Sequence, residues 1–487
     1  SGHYLDWDTK PFLYKVYPDL PVIQLQREVP PPAVETLEAL SPGRQGNAVL
    51  TLEALSVLLF FSAGVTKKRT YPGGEEHHFR AAPSTGALYQ TEVYAVTGDL
   101  SGLGPGVYHF CPGDFTLRCL REGDFRQELA EAAADEQIAR VPATLVLTAI
   151  FWRNTWKYQA RGYRHLFWDS GTMLANLLVV ADGLGVAARL VTGFVDARVD
   201  TLLGLPAGKE GSLELVPLGP EGEPAPSAPP VHEIAPHSLP LSKEEVDYPL
   251  LREALSASAL SDTAEVSQWR VSPAPQRPDP TGDLLTLPVP ERRSGRSLGE
   301  TILRRASTRQ FARASITAED LSTVLFHATR GVAADVPLGL VDLYLIVNAV
   351  SGYEPGAYCY WPGAHALERL KTGEFRAEAG YLCLEQALGA DASAVIFFLA
   401  DLASILARFG NRGYRLANLE AGLIGGLCYL AAYALGFGAS GMTFYDQDVV
   451  RFFSPHAQGK DALFVTAMGR SVKGIPAVAV PLQIGKK

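Results

Sequence analysis

LSGLGPGVYHFCPGDFTLRCLREGDFR, residues 100–126, returns later in the chain as VSGYEPGAYCYWPGAHALERLKTGEFR, residues 350–376. The two stretches align without a gap at an offset of 250 (350 minus 100). Working outward, Arg161-Gly162-Tyr163-Arg164 matches Arg412-Gly413-Tyr414-Arg415 at an offset of 251 (412 minus 161), and Gly171 and Gly185 meet Gly422 and Gly436 at that same offset. Matches of this length, in register and in order, mark an internal repeat. The chain reads as a tandem duplication of one α+β domain.

Within the first copy the apolar spacing over residues 33–61 is helical, with Leu37, Leu40, Leu55, Leu58 and Leu59 on it. Residues 80–96, RAAPSTGALYQTEVYAV, open with turn chemistry (Pro83, Ser84, Thr85, Gly86) and continue as the alternation of a half-buried strand. After a hairpin-like run at 100–120 come a charged helix (124–139), an apolar strand (143–151), a long helix (164–184) and a closing strand (213–218). The expected organisation is an extended arm over residues 1–32, a first domain over 33–218, a proline-rich linker over 219–295 and a second domain over 296–487. One short helix is expected in the linker near 244–259, and two such copies can pack as an intramolecular pseudo-dimer.

Composition narrows the function. The 487 residues are 47% hydrophobic and 20% charged, which is globular usage, and the net charge of −9 argues against nucleic acid or an anionic membrane as the main partner. Five scattered cysteines with no C-x-x-C pair fit a reducing, cytoplasmic setting and offer no metal site. The uncharged run 421–445 is long enough to span a bilayer, but its six glycines predict a buried helix followed by a turn and a strand. Ser1-Gly2-His3 looks like an expression scar, and a soluble protein is expected.

The copies differ where chemistry would sit. On a helical segment beginning near Ser297, the Arg305-x-Ser307-x-Arg309 spacing spans little more than one turn and brings two guanidiniums and a hydroxyl within reach of one anion. The first copy offers only Asp8-Thr9-Lys10 in the matching place. Conversely, the loop over residues 83–89 faces AADVPLGL, residues 333–340, which lacks the Ser-Thr-Gly. Each copy has kept half of a site.

These motifs resemble the nitroreductase superfamily, and within it the SagB-type dehydrogenases that oxidise azolines in ribosomal peptides. The resemblance covers nearly all of both copies. It rests on Arg-x-Ser-x-Arg at 305–309, Pro-Ser-x-Gly-Ala-Leu-Tyr at 83–89, Gly-x-Tyr at 106–108, and Lys157-Tyr158 followed by Arg161-Gly162-Tyr163-Arg164. It implies two nitroreductase-like domains, each a mostly antiparallel sheet flanked by helices, with flavin mononucleotide (FMN) held at their interface. Carried over residue by residue, Arg305, Ser307 and Arg309 would hold the flavin phosphate and ribityl chain. Pro83, Ser84, Thr85 and Ala87 would line the ring. Gly441, Thr443, Phe444 and Arg470 fall at further family positions on the cofactor. One complete flavin site per chain is expected, its mirror image degenerate.

The resemblance makes Lys157 and Tyr158 the catalytic pair, taking the proton that leaves as hydride moves to the flavin. The second copy has Arg408 and Phe409 there, neither of which suits a base. Two positions depart from the family, Gln90 for its usual proline and Gln159 for its usual glycine, and both bear on substrate identity. The leading expectation is an FMN-dependent azoline dehydrogenase working with a cyclodehydratase on an azoline-containing precursor peptide, its flavin reoxidised by dioxygen. An NAD(P)H-dependent nitro or quinone reductase and a silent peptide-binding scaffold are the alternatives.

Overall fold

The repeat folds twice, as two antiparallel sheets whose long helices cross between them. The computed structural model describes residues 4–26, 28–41, 46–74, 76–273 and 276–478, so the reading of residues 1–3 lies outside the described residues. The first copy carries β1 (Val22–Gln24), β2 (Val65–Thr70), β3 (Glu76–Arg80), β4 (Thr91–Thr97), β5 (Gly106–Cys111), β6 (Thr116–Glu122), β7 (Ala143–Ile150) and β8 (Glu210–Leu218). Six of these form one sheet in the order β1-β6-β5-β4-β7-β8, while β2 and β3 make a separate hairpin. Its helices are α1 (Thr36–Ala39), α2 (Leu52–Ala63), α3 (Arg126–Ala132), α4 (Phe151–Tyr158), α5 (Gly162–Leu184) and α6 (Asp196–Leu203).

Helices α7 (Pro249–Ala257) and α8 (Thr263–Arg270) and strand β9 (Leu284–Thr286) follow. The second copy then supplies α9 (Leu298–Arg304), α10 (Ala318–Ala328), β10 (Asp342–Val347), β11 (Gly356–Trp361), β12 (Ala366–Thr372), α11 (Arg376–Leu382), α12 (Ala387–Asp391), β13 (Ala394–Ala400), α13 (Leu402–Phe409), α14 (Arg412–Leu435), β14 (Gly438–Gly441), α15 (Asp446–Phe453) and β15 (Asp461–Gly469). Its seven-stranded sheet runs β14-β15-β13-β10-β11-β12-β9. The duplication extends to detail. The irregularity between Val107 and Tyr108, where β5 pairs with β6, recurs between Ala357 and Tyr358, where β11 pairs with β12.

Several expectations are corrected. The helix read over 33–61 is two helices, α1 and α2; the chain leaves the helical path after α1, and α2 restarts where Thr51 caps the amide of Ala54. The helix read over 124–139 stops at α3, because Ala134 takes a left-handed φ of 47° before a short 3₁₀ turn at Glu136–Ala139. Phe151 opens α4 instead of ending β7. Strand β4 is buried on both faces. Val93 and Ala95 join the main core, while Tyr94 and Val96 pack in a second cluster with Leu129, Phe194 and Leu202. The proline-rich stretch holds two helices where one was expected, and its β9 pairs with β12.

The apolar run read as a buried helix and strand is α14 with β14, and the helix is buried along nearly its whole length. It crosses α5 at a glycine pair. A Cβ on Gly171 would lie 2.5 Å from the carbonyl oxygen of Leu419, and one on Gly422 would lie 2.3 Å from that of Trp168. Backbone therefore meets backbone, which only glycine permits. Tyr163 and Tyr414 stack at 5.9 Å with rings 3° from parallel. Flanking them, Arg161 and Arg164 pair with Asp446 at the start of α15, and Arg412 and Arg415 pair with Asp196 at the start of α6. Both ion-pair sets run from one copy to the other, and their acids stand 250 residues apart (446 minus 196).

Gly422→Leu is expected to lower unfolding free energy by about 3 kcal/mol, the upper part of the overpacking range, because the clash is with backbone. Gly104→Ala, whose Cβ would meet nothing within 4 Å, should change it by less than about 0.5 kcal/mol. Thermal melting of both variants checks this.

Candidate functional site

Between the copies lies a cleft of about 560 Å³. The loop before β4, the end of α4 and part of α5 form its first wall; the segment after α9, together with β14, forms the second. The loop is held from below by Asp169 on α5. That carboxylate accepts from Ser84 Oγ (2.5 Å), the Thr85 amide (2.9 Å), Thr85 Oγ1 (2.5 Å) and Gln90 Nε2 (2.7 Å). These donors favour the charged form, yet burial outweighs them and pushes Asp169 up to about 6. The loop backbone is left-handed at Gly86 (φ 63°), Ala87 (φ 54°) and Tyr89 (φ 50°). A loop so strained persists because its anchor over-determines it.

Lys157 and Tyr158 reach the cleft from the last turn of α4. Arg153, one helical turn earlier, is fully buried; it donates to the carbonyls of Phe12 and Tyr89 (both 3.0 Å) and pairs with buried Glu92. Both members of the proposed pair press against the loop, since a Cβ on Gly86 would sit 2.9 Å from Tyr158 Oη and 3.4 Å from Lys157 Nζ. Burial first, then the Arg309 charge, lowers the pKa of half-buried Lys157. Burial pushes Tyr158 up to about 12. The turn after α4 explains the family's glycine. Gln159 takes φ 52° and ψ −144°, and its repeat partner Gly410 takes φ 58° and ψ −160°. That region is nearly reserved for glycine.

From the second copy, Arg305, Ser307 and Arg309 line the same cleft, but not on a helix as read. Helix α9 ends at Arg304, and Arg305 is extended (φ −56°, ψ 132°). Extended backbone puts alternate residues on one face, whereas a helix would fan them apart. Arg305 Nε and Nη2 donate to the carbonyls of Ala81 and Arg80 across the interface, at 3.1 and 2.8 Å. Ser307 Oγ lies 3.1 Å from Tyr429 Oη, which accepts from the Gly441 amide at 2.7 Å. Pro83, Ser84, Thr85, Ala87, Gly441 and Thr443 line the cleft as well. Phe444 and Arg470 do not. Phe444 lies beneath Arg161 and Arg164, and Arg470 pairs with Asp320 at 3.2 Å.

At the symmetry-related place Asp335, the partner of Ser84 at offset 251 (335 minus 84), turns its carboxylate onto the Thr192 and Gly193 amides, both at 2.9 Å. Arg270 on α8 donates to Asp335, Ala133, Ala134 and Gly193, while Trp269 Nε1 donates to the Phe409 carbonyl. Beside Trp269 and Thr192 lies a cavity of about 10 Å³, room for roughly one water. The counterpart of the 305–309 segment is not Asp8-Thr9-Lys10. Helix α1 mirrors α9, their caps Glu35 and Ser297 bridge, and the matching stretch follows Leu40, with 42–45 outside the described residues.

The open cleft suits a flat anionic cofactor: it is large enough, small residues (Gly86, Ala87, Gly441) flank it, and Arg305 and Arg309 supply cations. Comparison with known proteins agrees with this architecture. The nitroreductase family model matches residues 47–219 and again 302–470. The chain belongs to the nitroreductase family. A crystal structure assigned as a nitroreductase from Anabaena variabilis superposes with a TM-score of 0.78 at 28% identity, covering 96% of each chain. A protein assigned as a nitroreductase in Methanocaldococcus jannaschii is 33% identical over 36% of this chain and 82% of its own length. The microcin B17-processing protein McbC of Escherichia coli is 30% identical over 26% of this chain, which spans 48% of McbC.

Motif reading missed Asp169, Arg153, Glu92 and the plug formed by Trp269 and Arg270. Asp169 had one signal, an acid inside an apolar helical run whose repeat partner, Glu420, is also acidic and also holds a loop through the Gly339 and Leu340 amides. Arg153→Ala is expected to cost about 3–5 kcal/mol, because it strips the buried Glu92 charge of its guanidinium and leaves it the His109 ring. Glu92, held down to about 2, contributes stability above pH 4.5 that is lost as pH falls toward 2. Denaturant melts between pH 2 and 7 should show that acid limb in the parent and lose it in the variant.

Proposed function

We propose that this chain is an FMN-dependent dehydrogenase that oxidises thiazoline or oxazoline rings in a ribosomally made peptide to thiazoles or oxazoles. One observation carries the reading: the 305–309 segment of one copy and the loop over residues 83–89 of the other line one cleft, and Lys157 with Tyr158 stands on it. Arg305, Ser307 and Arg309 would hold the cofactor's phosphate and ribityl side, and Pro83 to Ala87 its ring. Bound FMN would supply the hydride acceptor, and dioxygen would be the terminal oxidant.

Aromatising the ring removes two hydrogens, one as hydride and one as a proton, and the chain must provide for the proton. Lys157 fits the base, since its lowered pKa makes the neutral amine accessible nearer working pH. Tyr158 stays protonated, so its hydroxyl orients substrate or donates a hydrogen bond. Similarity to McbC, a microcin B17-processing protein, supports a processing role; a cyclodehydratase that forms the ring beforehand and a cytoplasmic setting are part of the same proposal.

The test is incubation of the purified, flavin-loaded protein with an azoline peptide under air, read by mass spectrometry as the loss of two hydrogens. Lys157→Ala should lower the rate at least about 100-fold, with no rescue by Lys157→Arg, because arginine stays protonated. The parent rate should rise with pH through the depressed lysine pKa, and the variants should lose that limb. Consumption of NAD(P)H with a nitroaromatic, and no azoline oxidation, would favour the reductase reading instead. Flavin released on denaturation should be about one per chain; two would mean that the Asp335 side still holds a cofactor.

A further inference from the structure

The cleft has a charge that the proposed cofactor does not use up. Lys67, Arg69, Arg80, Lys157, Arg305 and Arg309 line it, against the lone carboxylate of Asp169 among the described residues, in a chain of net charge −9. Arg305 and Arg309 are given to the cofactor's phosphate side, Arg80 donates to the Leu13 carbonyl, and Lys157 presses on the loop. Lys67 and Arg69 stand apart from these. They lie on β2, are exposed, and form no ion pair among the described residues. Their neighbour Lys68 points to the opposite face and pairs with Glu76.

We propose that β2 is the docking edge for an acidic, extended segment of the peptide substrate, with Lys67 and Arg69 selecting carboxylates near the ring to be oxidised. This rests on the peptide-oxidising reading of the cleft. The β2–β3 hairpin stands outside both main sheets, and no strand lies beside the outer edge of β2 among the described residues. Such an edge is a template for an added strand. A strand paired there turns alternate side chains to the face that carries Lys67, Arg69 and Tyr71, which is the cleft face. Alternate residues on a strand are about 6.8 Å apart, so carboxylates two residues apart would meet the two cations in turn. A dinucleotide diphosphate could meet the charges but would leave the strand edge unpaired, which favours the peptide.

Fluorescence anisotropy with labelled ring-free peptides separates this proposal from the oxidation chemistry. A ten-residue peptide with Asp at alternate positions should bind roughly tenfold tighter than its Asn counterpart, and the gap should shrink with added salt. Lys67→Glu with Arg69→Glu should abolish the difference, whereas Lys68→Glu, on the other face, should preserve it. Equal binding of Asp and Asn peptides would overturn the proposal. So would a double variant that still prefers the acidic peptide but sheds flavin, or one whose only loss is NADPH binding.

Discussion

Everything in this molecule depends on two helices touching through glycine. At Gly171 and Gly422 the backbones of α5 and α14 come closer than any Cβ would allow. That contact sets the distance between the copies. Asp169, two residues before Gly171, faces the loop of its own copy, and Tyr429, seven residues after Gly422, faces Ser307 and Gly441. The cleft therefore has both walls in place only if the crossing holds. The arginine–aspartate sets on either side hold its rotation, and in the buried one, Arg412 and Arg415 with Asp196, losing a partner would leave a buried charge uncompensated.

Fusing the two copies removes a constraint that an exchangeable dimer obeys. An isologous interface repeats every residue, so two sites must be alike. Here Ser84 and Asp335, or Tyr158 and Phe409, occupy equivalent places and can differ freely. At the mirror-related place, among the described residues, the Asp335 carboxylate satisfies amides that a ligand could take, Trp269 donates to the Phe409 carbonyl, and Arg270 ties up the carbonyls of Ala133, Ala134 and Gly193. The connector is thus part of the asymmetry, since α8 is the plug.

The duplication and much of the open cleft's lining were legible, because each is written in local pattern or in repeated words; Phe444 and Arg470 were read onto the cleft but do not line it. Conformation at single residues was not legible. Arg305, Ser307 and Arg309 were found as a group but placed on a helix, because spacing alone does not show that α9 ends one residue earlier. The Arg-Gly-Tyr-Arg words read as a family signature, yet their arginines act across the interface on acids far away in sequence. The Arg153–Glu92 pair joins residues 61 apart, and no periodicity reports such a contact. Strand β4 read as half-buried from the alternation at Val93–Val96, but both of its faces are covered, and Thr91 and Glu92 are buried with the rest.

The same interface also tunes the proposed base. Burial lowers the pKa of Lys157 from within the first copy, but the charge that lowers it further belongs to Arg309 of the second. Asp169, the nearby acid that would oppose this, is itself pushed up to about 6 by burial and is occupied by loop donors. A lysine on an isolated first copy would be more solvated and would lack the arginine, and both changes raise its pKa. Joining the copies therefore completes a binding cleft and, in the same step, moves the amine toward the neutral form that proton abstraction needs. Geometry and reactivity are assembled by one contact.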